Sequence, residues 1–342
     1  MRIFSIHLLL FVVFILSSCR ENNMIVTLTP EAGTIAFSPG TSPGFLEVAD
    51  NTTAFTANYS GTVSRVNLLS NSVVTTSGHV VAFPGGIVTA SGKVYVSDYG
   101  LYPNYKNIVI VLDATTLNVL DTIDVGVAAG MMVKDSSGFV CIVCAGSYPS
   151  KGKVYTINTV TDAVVDSVEV GSSPSDIAMR NHLLYVLHGD RVMKLTISPL
   201  SVVDTLFVSL SSGLYFYAMN VDVSTGNVYV SKIVSSGGSG EVEIHTPSGA
   251  LKRPPFAVGI FPGAFAFKQS SDHGVFIINE GSYPNAGTVS YYSVAKDSLV
   301  GNIIGVSAGW ITPNDAKVVG TKVYIVVNGN DKIEILNTEA FQ

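Results

Sequence analysis

The sequence predicts an all-β fold, a seven-bladed β-propeller of four-stranded blades, and three observations carry that prediction. The chain repeats itself with a period of about 45 residues: Leu120-Asp-Thr-Ile-Asp-Val-Gly126, Phe139-Val-Cys-Ile-Val-Cys144 and Val154-Tyr-Thr-Ile-Asn158 lie over Val165-Asp-Ser-Val-Glu-Val-Gly171, Leu184-Tyr-Val-Leu187 and Val192-Met-Lys-Leu195. An apolar strand recurs seven times, at Ala54-Phe-Thr-Ala57, Val94-Tyr-Val96, Phe139-Val-Cys-Ile-Val143, Leu184-Tyr-Val-Leu187, Val228-Tyr-Val230, Val275-Phe-Ile-Ile278 and Val323-Tyr-Ile-Val-Val327. Helix-period segments are absent, while 32 Gly and 14 Pro supply the turns. A unit of three or four short strands cannot bury its own faces. Copies must therefore stack, and a closed ring of copies leaves no free edge.

Each strand of the unit has its own character. The recurring apolar strand is the second of each blade, nearly continuous in apolar residues because neighbouring blades cover both of its faces. Third strands alternate, as in Val63-Ser-Arg-Val66, Val242-Glu-Ile244 and Ile333-Glu-Ile335. Fourth strands are more polar, as in Val203-Asp-Thr-Leu206, which suits the outer rim. The last unit stops after its third strand, and extra strand-like sequence at 24–37 precedes the first. The N-terminal strand is therefore expected to complete the seventh blade and close the ring, giving one monomeric domain over 24–342.

The N-terminus predicts where the protein works. Arg2 precedes an apolar run over 3–16 that is broken only by Ser5 and His7. That run is too short to span a bilayer comfortably and reads as a secretory signal, residues 1–18. Leu16-Ser17-Ser18-Cys19 resembles the lipobox of bacterial lipoproteins. The resemblance implies acylation of Cys19, a short tether over 19–23, attachment to the membrane through lipid alone, and residence in the cell envelope as an outer-membrane lipoprotein. Arg20-Glu-Asn-Asn23 holds one acid, a weak match to acidic surface-export signals, so surface-exposed and periplasm-facing orientations both stay open. The chain holds 19 Lys+Arg against 25 Asp+Glu, a net charge of −6, and its basic residues cluster only at Lys252-Arg253. That balance argues against nucleic-acid and anionic-membrane binding.

Catalytic and metal motifs are sparse. Cys141 and Cys144 form a C-x-x-C, but within a strand residues three apart point to opposite faces, so the pair reads as two buried small hydrophobes. His79, His182, His188, His245 and His273 are scattered without paired spacing, and H-E-x-x-H, G-x-S-x-G and phosphate-binding glycine loops are missing. The expectation is a non-enzyme without a cofactor or metal. Calcium at Asp98, Asn279 and Glu280 stays a secondary possibility, as does convergence of side chains from different blades.

Gly-x-x-Pro between units, the Val-Tyr-Val strand and the following Val-x-x-Ile-Asn/Asp strand resemble the YVTN/NHL-type propeller repeat. The stretches Val275-Phe-Ile-Ile-Asn-Glu-Gly-Ser-Tyr-Pro284 and Lys322-Val-Tyr-Ile-Val-Val-Asn-Gly-Asn-Asp-Lys-Ile-Glu334 are similar to repeats of YncE-like cell-surface lipoprotein propellers. The YVTN tetrapeptide itself does not occur. The resemblance covers essentially the whole mature chain. It implies capture of a scarce ligand, corrinoids among the class, beside a TonB-dependent outer-membrane transporter.

In a four-stranded blade, the loops joining strand two to three and strand four to the next blade emerge at the same end of the ring. The two-to-three loops carry Gly100-Leu-Tyr102-Pro103, Gly146-Ser-Tyr148-Pro149 and Gly281-Ser-Tyr283-Pro284, and nearby lie Asp98, Asp190, Asn279 and Glu280. The interblade loops add Phe83, Tyr215, Phe261 and Trp310, the sole tryptophan. Stiff aromatics with scattered acids and amides suit a small ring-containing molecule or a glycan. Two other functions stay open: a protein–protein scaffold at the envelope, and a secreted lactonase-like hydrolase.

Overall fold

The computed structural model describes residues 37–269, 272–301 and 312–340. Seven antiparallel sheets follow one another along the chain, over 43–76, 84–124, 129–171, 176–209, 215–260, 262–300 and 313–337. Each is a meander in sequence order. The first strands, from Pro43–Val48 in blade 1 to Pro313–Val319 in blade 7, touch one another in succession and return from the seventh to the first. They form the inner wall of a ring around a central channel. Strand one runs from the end carrying the two-to-three loops, here the mouth, to the opposite end, the base.

The core is divided among the seven junctions between blades. Among the described residues seven apolar clusters form, and each draws on two adjacent blades. Phe55 and Val63 of blade 1 pack with Val94 and Ile110 of blade 2, and Leu46 and Val66 of blade 1 pack with Tyr324 and Ile333 of blade 7. Second strands are mostly buried, fully so at Val228–Ile233, whereas the fourth strand Ser72–Thr76 is mostly exposed. Burial of apolar area between blades, at roughly 25 cal/mol per Å², is thus the term that holds the ring.

The tyrosine of the Val-Tyr-Val strand adds a polar hook. Tyr95 of blade 2 reaches into blade 3, where its hydroxyl donates to Asp162 Oδ1 at 2.5 Å and lies 3.3 Å from the Thr159 carbonyl. Tyr324 of blade 7 does the same to blade 1, donating to the Leu68 carbonyl at 3.2 Å. Tyr324→Phe removes only that hydroxyl and is expected to lower stability by about 1 kcal/mol, read as a lower urea midpoint at constant m-value. An unchanged midpoint would mean that closure rests on apolar packing alone.

The N-terminal side also closes the ring. Phe37 takes the outer position beside the third strand of blade 7, donating to the Ile333 carbonyl at 3.4 Å and accepting from the Ile333 N–H at 2.9 Å. Residues 24–36 of the expected closing strand, like the leader and Cys19, lie outside the described residues. Among the described residues no helix is long and apolar enough to cross a membrane.

Cys141 and Cys144 are free and buried, and they belong to different interblade clusters, as opposite faces of one strand require. Burial pushes both thiols up to about 12, leaving them protonated and inert.

Candidate functional site at the channel mouth

A recurring backbone turn places side chains over the mouth. A residue at the mouth end of strand two donates its N–H to a carbonyl preceding strand one of the same blade: Tyr59 to Ser42 at 2.7 Å, Tyr99 to Phe83 at 2.8 Å, Ala145 to Ala128 at 3.0 Å, and Glu280 to Phe261 at 2.8 Å. In blades 1 and 6 a glycine at the start of strand one makes the room. A Cβ on Gly44 would lie 2.8 Å from the Tyr59 ring, and one on Gly263 would lie 2.2 Å from Glu280 Oε1.

Two aromatic groups stand there, one from blades 1 and 2 and one from blades 5 and 6, near enough for the Glu280 charge to act on Tyr59. Tyr59 stacks on Phe83 with ring centroids 4.6 Å apart and meets Phe45 edge-on at 5.9 Å. Tyr217 packs against Phe261 at 5.5 Å and Tyr215 at 6.4 Å, and its hydroxyl donates to Glu280 Oε2 at 2.8 Å. Burial, followed by the charges of Glu280 and Asp315, pushes Tyr59 up to about 12. Tyr217 is raised still further, by burial and by Glu280. Burial also raises Glu280, while the Tyr217 hydrogen bond pulls it back. Both phenols are therefore neutral donors at physiological pH, set in aromatic walls beside one carboxyl group. Such a surface stacks flat rings and hydrogen-bonds their substituents.

Below the mouth the channel opens into a chamber of about 250 Å³ lined by blades 1, 2, 3, 4, 5 and 7. Phe45 belongs both to its wall and to the aromatic cluster. Charged groups stand among its apolar side chains. Glu47 Oε1 accepts from Lys134 Nζ at 2.7 Å and from Thr89 Oγ1 at 3.0 Å, tying blades 1, 2 and 3 together. Asp315 binds Lys317 Nζ at 3.0 and 3.2 Å and accepts from the Leu46 N–H at 2.9 Å. Asp176 accepts from the Met219 N–H of the next blade at 2.9 Å.

The residues expected from the sequence divide into three groups. Phe83, Phe261, Tyr215 and Glu280 join the mouth cluster. Tyr102, Tyr148 and Tyr283 sit on outward loops at the same end, 83%, 98% and 72% exposed, each before a cis proline. Asp98 and Asn279 are buried and their polar groups serve the fold. Asp98 accepts the N–H groups of Ala82, Phe83 and Gly100 at 2.8, 3.1 and 3.1 Å, and Asn279 Nδ2 donates to Thr288 and Ser290 at 3.1 Å each. Asp190 is exposed and pairs with Arg191 at 3.2 Å. Trp310 lies outside the described residues.

Asp98 belongs to blade 2, whereas Asn279 and Glu280 belong to blade 6. Among the described residues no group of three or more His, Cys, Asp or Glu side chains is placed to hold a metal ion. The histidines go to separate places: His188 is buried with its Nδ1 at 3.3 Å from the Ser172 carbonyl, His245 meets Glu243 at 3.0 Å, and His273 lies 3.2 Å from Asp222.

Sequence reasoning missed Tyr59, Tyr217 and the channel charges. One signal was present: Pro174-Ser-Asp176 and Pro313-Asn-Asp315 put an acid at the same place in two innermost strands.

No protein-family model matches the chain, and a search of curated proteins returns no relative. Among solved structures the chain is similar to Kuenenia stuttgartiensis hydrazine synthase, at 14% identity over 90% of this chain and 98% of that one, with a TM-score of 0.72. At that identity the likeness extends to the propeller fold alone.

Proposed function

We propose that this protein is a non-catalytic ligand-binding propeller of the bacterial cell envelope, anchored through Cys19. In this reading it takes a ring-containing small molecule or glycan at its mouth and passes it to a TonB-dependent outer-membrane transporter. The observation that carries the binding role is a pair of aromatic groups at the mouth end, Tyr59 with Phe83 and Tyr217 with Phe261 and Glu280, near enough for the Glu280 charge to act on Tyr59. The leader and the lipobox-like Leu16-Ser17-Ser18-Cys19 support the location, and the likeness to YncE-like repeats supports nutrient capture. A corrinoid presents the flat ring and amide substituents that such walls accommodate.

The test is calorimetric titration of the mature chain carrying Cys19→Ser with cobinamide, haem, a catecholate siderophore and an oligosaccharide. One of these classes is expected to bind, and Tyr217→Ala is expected to weaken it by about tenfold or more. Tyr148→Ala, on an outward loop, should leave affinity unchanged. Silence across all four, or full affinity in Tyr217→Ala, would remove the mouth from consideration.

A scaffold role draws its support from the three matched Tyr-Pro loops, whose rings point into solvent at the mouth end. Exposed tyrosines are favoured interface residues. In the capture reading these same loops are the contact points for the transporter.

A further inference from the structure

The chamber beneath the mouth is lined by charges that cancel. Its ionisable lining residues are Glu47, Lys134, Asp315 and Lys317, two acids and two ammonium groups. Lys134 Nζ lies 2.7 Å from Glu47 Oε1, and Lys317 Nζ lies 3.0 Å from Asp315 Oδ1. The Glu47 charge also acts on Lys317, so acids and ammonium groups alternate along the wall. Asp176 is not part of this lining; its two oxygens accept the Ile177 and Met219 N–H groups.

Each pair leaves bonding capacity unused. Three donors converge on Glu47 Oε1: Lys134 Nζ at 2.7 Å, Thr89 Oγ1 at 3.0 Å and the Thr89 N–H at 3.2 Å. Among the described residues no donor falls on Glu47 Oε2. An ammonium carries three N–H groups. Lys134 directs two of them to Glu47 and Thr89, whereas Lys317 has the oxygens of Asp315 as its only partner, at 3.0 and 3.2 Å. The lysine side chains are also the open ones, 39% and 38% exposed against 13% and 14% for Glu47 and Asp315. The wall therefore presents ammonium groups with one free carboxylate oxygen between them.

Ile87, Met131, Met179 and Val223 give the same space an apolar side. At about 250 Å³ it is smaller than the roughly 300–1,000 Å³ of sites for drug-sized molecules, which limits the ligand to a small one. A net cation or anion would add an uncompensated charge to a wall that is already neutral, which is costly away from bulk water. A zwitterion adds none. A second recess, of about 390 Å³, shares Lys134, Met179 and Val223 and adjoins the chamber toward the base.

We propose that the chamber binds a zwitterionic α-amino acid with an aliphatic side chain, its carboxylate on Lys317 and its ammonium group on Glu47 Oε2. The side chain lies along Met131, Met179 and Val223. This site is separate from the aromatic mouth and does not depend on what the mouth binds.

The experiment is calorimetric titration of the mature chain carrying Cys19→Ser, near neutral pH, with leucine, valine and methionine. Two further probes, 4-methylpentanoate and 3-methylbutylamine, keep the leucine skeleton but lack its amino group or its carboxylate. At least one amino acid is expected to bind with 1:1 stoichiometry, and both singly charged probes to bind about tenfold or more weakly than it does. Lys317→Gln keeps a donor beside Asp315 without the charge, and Glu47→Gln keeps an acceptor for Thr89. Each is expected to weaken binding by about tenfold or more. Tyr217→Ala should leave it intact, whatever happens to ligands of the mouth. The proposal is overturned if none of the three amino acids binds below ~10 mM, or if either singly charged probe binds as tightly as they do. It is equally overturned if either glutamine variant, still folded by circular dichroism, binds as the parent does, or if Tyr217→Ala removes the amino acid. Should both glutamine variants unfold, the comparison of leucine with its two analogues on the parent chain decides alone.

Discussion

Glu243→Ala is expected to cost the fold about 3–5 kcal/mol, among the largest effects of any single side chain here. Its partner Lys232 is the penultimate residue of the second strand of blade 5, with its side chain only 1% exposed. The ammonium lies 2.7 Å from Glu243, 2.9 Å from Ser212 and 3.3 Å from Glu241. Burial by itself would raise the Glu243 carboxyl, but contacts with His245 and Lys232 outweigh it and hold the group below its ordinary value. The stabilisation from that depressed carboxyl is present above the unfolded value of 4.5 and is lost as pH falls through the lower folded value. Removing Glu243 leaves a buried ammonium facing one partly exposed acid. Guanidinium denaturation at neutral pH reads the loss. The paired change Glu243→Ala with Lys232→Met should recover most of it, because the cost lies in the uncompensated charge. A single variant within about 1 kcal/mol of the parent would mean that water reaches Lys232.

The ring was legible because its period is local. Strand spacing, the apolar second strand and the polar fourth strand can all be read inside one unit of sequence, and stacking follows from what one unit leaves unburied. The placement of Cys141 and Cys144 in different clusters likewise follows from strand periodicity. Hooks between blades were not legible. Tyr324 looks like any buried strand tyrosine, and the carbonyl it needs lies 256 residues away in blade 1. A one-dimensional pattern shows that a side chain is buried, not which neighbour completes it.

The site was half legible for the same reason. Loops at one end of the ring pointed to Phe83, Phe261, Tyr215 and Glu280, because topology alone places those loops together. Tyr102, Tyr148 and Tyr283 share that end but turn outward. Their loops fold back on themselves, as when the Ser150 N–H donates to Ser147 at 2.7 Å and the Asn285 N–H to Ser282 at 2.6 Å. Tyr59 and Tyr217 escaped because neither carries the Tyr-Pro motif, and Tyr217 lies within the strand Tyr215–Val221. Asp176 and Asp315 come two residues after prolines and so read as turn residues, whereas each clamps the next blade and Asp315 lines the chamber.

Asp176→Asn should change stability in a way that depends on pH, and the sign is fixed by where the proton sits. Burial pushes the Asp176 carboxyl up to about 7, against the pull of the Met219 and Ile177 N–H groups and of Lys317, with Asp315 pushing it up again. The unfolded chain releases this proton near 3.8. Between those values the folded state holds a proton that the unfolded state has lost. Stability from this group is therefore complete below 3.8, declines as pH rises to about 7, and is flat above. At about 1.4 kcal/mol per unit the full span is roughly 4 kcal/mol, and partial solvent exposure of the residue reduces it to ~2 kcal/mol. The amide cannot ionise and lacks this dependence, but it loses one backbone acceptor at a cost of about 1 kcal/mol. Urea midpoints should accordingly place Asp176→Asn below the parent at pH 4 and above it at pH 8, with a crossing between. Parallel curves would return Asp176 to an ordinary carboxylate.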